Sequence, residues 1–160
     1  MTDAEAQAFL AANAGTRLAL IAASHARLTG RPLVAAAPEN LAAKLWTAPF
    51  GVLAHGTEAD PVFFYANRLA LELFELTPQA LIAMPSRLSA EPGGEREARA
   101  RFMRDVTQRG FADDYAGVRV SSTGRRFRIE AATVWNLVDT AGRRHGQAAA
   151  FSRWTPLAPV

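Results

Sequence analysis

Residues 113–154 limit what this chain can fold into more than any other stretch, because they read as three consecutive β-strands. The strands are expected at Tyr115–Ser121, Arg126–Val138 and His145–Trp154. Two tight turns join them, Ser122-Thr123-Gly124-Arg125 and Asp139-Thr140-Ala141-Gly142, each with small polar residues and a glycine where the chain reverses. The middle strand alternates: Phe127, Ile129, Ala131, Trp135 and Leu137 fall on one side, Arg126, Arg128, Glu130 and Asn136 on the other. An antiparallel meander with one apolar face must bury it against another layer. The preceding hundred residues have to supply that cover.

They have the means to do so. The chain of 160 residues is 49% hydrophobic and carries nine Phe and three Trp, enough for one domain with a sizeable core. It has no cysteine, which excludes disulfides, thiolate nucleophiles, cysteinyl–flavin adducts and Cys-ligated metals, and suits a reducing compartment. The net charge is +3, with Lys44 the only lysine among 18 basic residues. Acidic residues are interspersed with the arginines, the pattern of a solvated surface rather than of a nucleic-acid footprint. Leu18–Ala23 is far shorter than the roughly 20 residues of a membrane span and has no basic region before it. A cytoplasmic protein with no membrane partner is expected.

Along the chain, Thr2 and Glu5 have capping-box spacing for a helix starting at Asp3. A second helix, about Thr16 to Thr29, places Leu18, Ile21, Ala22, His25 and Leu28 on one stripe, with Gly30 as its C-terminal stop. That stripe needs a partner: a second copy of the chain, giving a homodimer through the N-terminal helices, or the outer face of the chain's own sheet. Glu39–Trp46 reads as a short helix, Phe50–His55 and Val62–Ala66 as strands. Asn67 caps a helix over Arg68–Phe74, and Thr77-Pro78 opens another. A polar segment from Pro85 to Gly94 precedes a helix over Glu95–Arg109, with Ala98, Phe102, Met103 and Val106 as its stripe and Arg96, Arg99, Arg101, Arg104 and Arg109 exposed.

Two strands, a helical crossover and a three-strand meander form the element order of a PAS-like domain, although other α+β folds share it. Particular residues carry the resemblance further. They are Asp60–Asn67 followed by Leu73-Phe74-Glu75, Pro85–Pro92, Gly110–Ser121, Gly124–Phe127, Val134–Leu137 and Gly146–Ala149. These blocks resemble the MEKHLA domain family, PAS-related and found in stand-alone bacterial proteins and in the C-terminal region of plant class III homeodomain–leucine zipper factors. The resemblance spans about Leu41 to Trp154 and implies an α+β fold. That fold has a PAS-like five-stranded antiparallel sheet, crossover helices on one face, and N-terminal helices. Residues 1–38 are read as a helical extension and 39–160 as the PAS-like domain. The function implied is a sensory, ligand-binding or protein-interaction domain of bacterial signalling or regulation. No catalytic residue comes with the family, and the sequence shows no homeodomain or zipper.

Candidate site residues follow from residue type. His55, with Asp60 five residues on, could pair for proton transfer, but no nucleophile or oxyanion motif accompanies it. Tyr65, Trp135 and Phe151 are aromatic candidates for a pocket wall, and equally for plain core. Thr133, Asn136 and Gln147 could orient a ligand from the sheet. Asn67 is a helix cap or a ligand contact. Arg87 is spaced to pair with Glu91 and brace the crossover, or to bind an anion. No metal spacing, phosphate loop or nucleophile elbow is present, so no metal is expected and no cofactor is named.

Overall fold

The computed structural model describes residues 1–91 and 96–159, with the backbone alone for 96–100. The polar loop 92–95 and the side chains of Arg96, Ala98 and Arg99 therefore lie outside the described residues. Helix α1 covers Asp3–Ala14 and α2 covers Arg17–Thr29. A 3₁₀ turn at Pro38–Asn40 leads into α3, Leu41–Trp46, then β1, Gly51–His55, and β2, Phe63–Ala66. The crossover contains α4, Arg68–Phe74, α5, Pro78–Leu81, and α6, Arg96–Arg109. The meander is β3, Phe111–Val120, β4, Arg126–Val138, and β5, Arg144–Phe151, followed by a short β6, Arg153–Pro156.

The caps expected from sequence form. Thr2 Oγ1 accepts from the Glu5 amide at 3.1 Å and Thr77 Oγ1 from Ala80 at 3.1 Å. Gly30 ends α2 in the left-handed region at φ 76°, which glycine adopts without a Cβ clash.

The sheet is antiparallel, in the order β2-β1-β5-β4-β3. β6 extends the β5 track beside the first half of β4. The expected third strand of the meander is thus broken in two at Ser152, which lies opposite the point where β4 itself bends.

That bend corrects the alternation expected for β4. Ala131 is exposed, not inward, and holds a left-handed φ of 51°. From Tyr115↔Ala132 to Gly117↔Ile129, β3 advances two residues while β4 spends three, so β4 carries a bulge. Beyond it the parity flips. Phe127, Ile129, Ala132 and Val134 share one face, and Trp135 and Leu137 face the other way.

Both faces are consequently covered. Phe127 packs edge-on against Phe74 of α4 at 5.1 Å, and Val134 clusters with Val106 of α6. On the opposite face the Trp135 indole donates to the Ile21 carbonyl of α2 at 3.0 Å, and Ser24 and Arg27 both donate to the Val138 carbonyl. Helix α2 therefore lays its stripe on the chain's own sheet, with Ile21, Ser24 and His25 buried. Leu10 and Ala14 of α1 join the same core as Trp46, Phe74 and Trp135. The Asn13 side chain donates to the Phe64 carbonyl on the edge strand β2 at 2.9 Å.

Candidate functional site

Strand register sorts the candidate residues onto two different faces. Tyr65, Ala54, Ala148 and Trp135 form one cross-strand row beneath the N-terminal helices. Tyr65 and Trp135 are buried there, and burial pushes the Tyr65 phenol well above its ordinary range. Thr133, opposite Ala150 and thence Val52, lies on this same face and is half-buried.

The other face holds a polar row. His55 stands opposite Gln147, and Gln147 opposite Asn136, so three polar side chains cross β1, β5 and β4 in line. All three are half-buried. Gln147 Nε2 donates to Asn136 Oδ1 at 3.3 Å, and Asn136 Nδ2 donates to the Val106 carbonyl at the end of α6 at 3.3 Å. His55 Nδ1 sits 3.0 Å from the Gly56 carbonyl, which can only accept, so Nδ1 carries the proton and Nε2 of the neutral ring is left as an acceptor. Gln147 keeps its carbonyl oxygen and one N–H uncommitted among the described residues. The neighbouring row on this face, Leu53, Ala149, Val134 and Ala112, contains two alanines, which keep the wall shallow.

The remaining candidates are structural in their contacts. Asn67 is fully buried: its Oδ1 accepts from Val52 (3.0 Å) and Ala70 (3.2 Å), and its Nδ2 donates to Leu45 (3.0 Å) and Phe50 (2.7 Å). No atom of it remains for a ligand. Arg87 is exposed and pairs with Asp60 at 3.2 Å rather than with Glu91; Glu91 instead binds Arg126 at 2.8 Å, joining the crossover to β4. The pairing of Asp60 with Arg87 also removes it as a partner for His55. Phe151 is buried with its ring over Gly51, where a Cβ would come within 2.5 Å of Cζ. Sequence reasoning missed the cross-strand alignment of Asn136 with His55, because register between distant strands leaves no mark in the intervening residues.

Two open grooves accompany these faces. One, about 460 Å³, lies where the start of α1 meets α4, lined by Asp3, Trp46, Arg68 and Glu72 among others. The second, about 260 Å³, lies between the end of α2 and the bend of β4, with Thr133 and Phe151 in its lining. Among the described residues no group of three or more His, Asp or Glu side chains is placed to hold a metal ion, and no helix is long and apolar enough to cross a membrane. Among the described residues, Arg68, Arg87, Arg101, Arg125, Arg126 and Arg128 each pair with a carboxylate.

A curved antiparallel sheet crossed by short helices between its second and third strands is the PAS fold. The chain superposes on the PAS domain of a Colwellia psychrerythraea protein with a TM-score of 0.60 at 12% identity, over 71% of this chain and 92% of that one. It also superposes on an RNA-binding light-oxygen-voltage receptor (TM-score 0.59, 18% identity, 71% of this chain and 32% of the receptor). Within that class the chain belongs to the MEKHLA domain family, whose model matches residues 15–156 and thus takes in α2. Relatives include the homeobox-leucine zipper proteins ATHB-9 of Arabidopsis thaliana (33% identical over 119 residues, 73% of this chain) and HOX29 of Oryza sativa subsp. indica (31% over 120 residues, 74% of this chain). The chain spans about 14% of the length of these curated relatives. Both are plant proteins, so they lend no support to the bacterial setting expected from sequence.

Proposed function

We propose that this domain is a non-catalytic sensory module that binds a small polar ligand on the α6-covered face of its sheet. The observation that carries the reading is the row His55–Gln147–Asn136. It offers the His55 Nε2 acceptor beside the carbonyl and N–H of Gln147, a pattern that would orient a planar amide-like group, next to the small side chains of Ala149 and Ala112. Absence of chemistry is supported by what the titratable groups already do. His25 donates to the Arg31 carbonyl at 3.0 Å, His145 pairs with Asp139 at 2.7 Å, and Asp60 is held by Arg87. The lack of cysteine fits a reducing, cytoplasmic setting. In proteins built like the plant relatives the module would serve as a regulatory part of a longer chain.

The test is purification without detergent, followed by denaturation and mass spectrometry of released small molecules, for the wild type and Gln147→Leu. A compound that accompanies the wild type and is lost from a folded Gln147→Leu variant supports the reading. Identical small-molecule profiles from the two proteins would sink it.

A further inference from the structure

The groove between the end of α2 and the bend of β4 is separate from the polar row, on the opposite face of the sheet. This open groove of about 260 Å³ is lined by side chains of an uneven kind. Pro32, Leu33 and Phe50 give apolar walls. The polar residues in its lining are His25, Arg31, Thr133 and Ser152. No Asp or Glu lines it.

Among the described residues, the Arg31 guanidinium takes part in no ion pair, as is true of several other arginines, but it is the arginine that lines this groove. The Thr133 and Ser152 hydroxyls make no side-chain hydrogen bond either, although Thr133 is half-buried. The His25 ring, held edge-on against Trp135 at 4.8 Å, also lines the groove, and burial, with the nearby Arg31 charge, lowers its pKa from the ordinary value. One uncompensated cation and two idle hydroxyls, set on an apolar floor with no anion nearby, complement a single anionic oxygen group on an apolar body.

From this arrangement we infer that the groove bounded by Arg31, Thr133 and Ser152 binds a small monocarboxylate, its carboxylate on Arg31 and the hydroxyls, its hydrocarbon part against Leu33 and Phe50. The occupant bridges the segment that follows α2, at Arg31 and Leu33, to the β4 bend beside Thr133.

Backbone amide NMR of the intact chain tests this, with hexanoate as probe and hexanol as its uncharged counterpart. The expected result is saturable shifts centred on Leu33, Thr133 and Ser152 with hexanoate in the millimolar range, and none that saturate with hexanol. Arg31→Gln, an exposed position, should weaken hexanoate at least about tenfold, the worth of a charge-assisted contact. Thr133→Val should weaken it less while leaving the spectrum folded. Failure of hexanoate to saturate, equal binding by hexanol, or unchanged affinity in Arg31→Gln overturns the inference. None of these outcomes depends on what the opposite face carries.

Discussion

The indole of Trp135 donates to the backbone of Ile21, 114 residues earlier, and so ties the middle strand of the sheet to the helix laid across it. Both residues are fully buried. Trp135→Ala should cost about 3–5 kcal/mol, the range for large aromatics removed from packed cores. Trp135→Phe keeps most of the apolar contact and loses one hydrogen bond to a carbonyl that retains its helical partner, and should cost about 1 kcal/mol. Urea unfolding at neutral pH measures both; a loss under about 1 kcal/mol for Trp135→Ala would mean that α2 does not cover this face in solution.

Asn67 offers a sharper contrast between a cap and a junction. Its side chain bonds α3, β1 and the first turn of α4 at once, and its backbone N–H donates to Val52. Thr77 makes only the single cap bond to Ala80. Thr77→Ala should therefore cost about 1 kcal/mol. Asn67→Ala removes the partners of the Val52 amide and the Phe50 carbonyl and should cost about 3 kcal/mol or more. Equal losses for the two variants in the same denaturation series would show that Asn67 acts as a cap alone.

How far the sequence carried the fold depends on the kind of signal each element left. Caps and glycine stops are local, so α1, α2, α4 and α5 were readable at Thr2, Gly30, Asn67 and Thr77. The meander was readable from its turns and alternation. The bulge at Ala131 was not, since alanine gives no hint of a left-handed φ, and reading through it assigned Phe127 and Trp135 to the same face. The candidate residues, chosen by type, carried no face assignment; register between strands distant in sequence puts Tyr65, Trp135 and Thr133 on one face and Gln147 on the other. Ion-pair choice was equally hidden. Arg87 and Glu91 are close in sequence, but Asp60 and Arg126 reach them across the fold.

Acid should weaken the fold through two groups of opposite type. Asp139 accepts from the His145 ring and the Arg143 and Ala141 amides, which hold its carboxyl at about 2 against an ordinary 3.8. A carboxylate depressed on folding contributes stability above its unfolded value, and that contribution is lost as pH falls from about 4 towards 2. His25 is lowered by burial, so below its ordinary 6.5 the unfolded chain takes up a proton that the folded chain refuses. Stability should thus fall on acidification from pH 6.5 as well. Melting temperature followed from pH 8 to pH 2 should decline in two stages. Asp139→Asn should flatten the lower stage and His25→Gln the upper; a profile unchanged by either substitution contradicts the assignment.

Gly146 sits beside the polar row, where β5 leaves its turn and passes the end of β1. Its φ is 146°, and a Cβ there would overlap the carbonyl oxygen of His55, a backbone atom with no freedom to swing away. The glycine therefore allows the close approach that brings His55 and Gln147 into line. Gly146→Ala should cost about 3 kcal/mol, combining backbone strain with overpacking. Gly124, in the Ser122–Arg125 turn at φ 89° with open space around it, provides the control. Gly124→Ala should cost only the strain, about 1 kcal/mol. If the row forms the binding face, Gly146→Ala should also displace the His55 and Gln147 amide resonances while Gly124→Ala leaves them in place. Equal stability losses with both sets of resonances unmoved would show that the β1–β5 approach does not set the row.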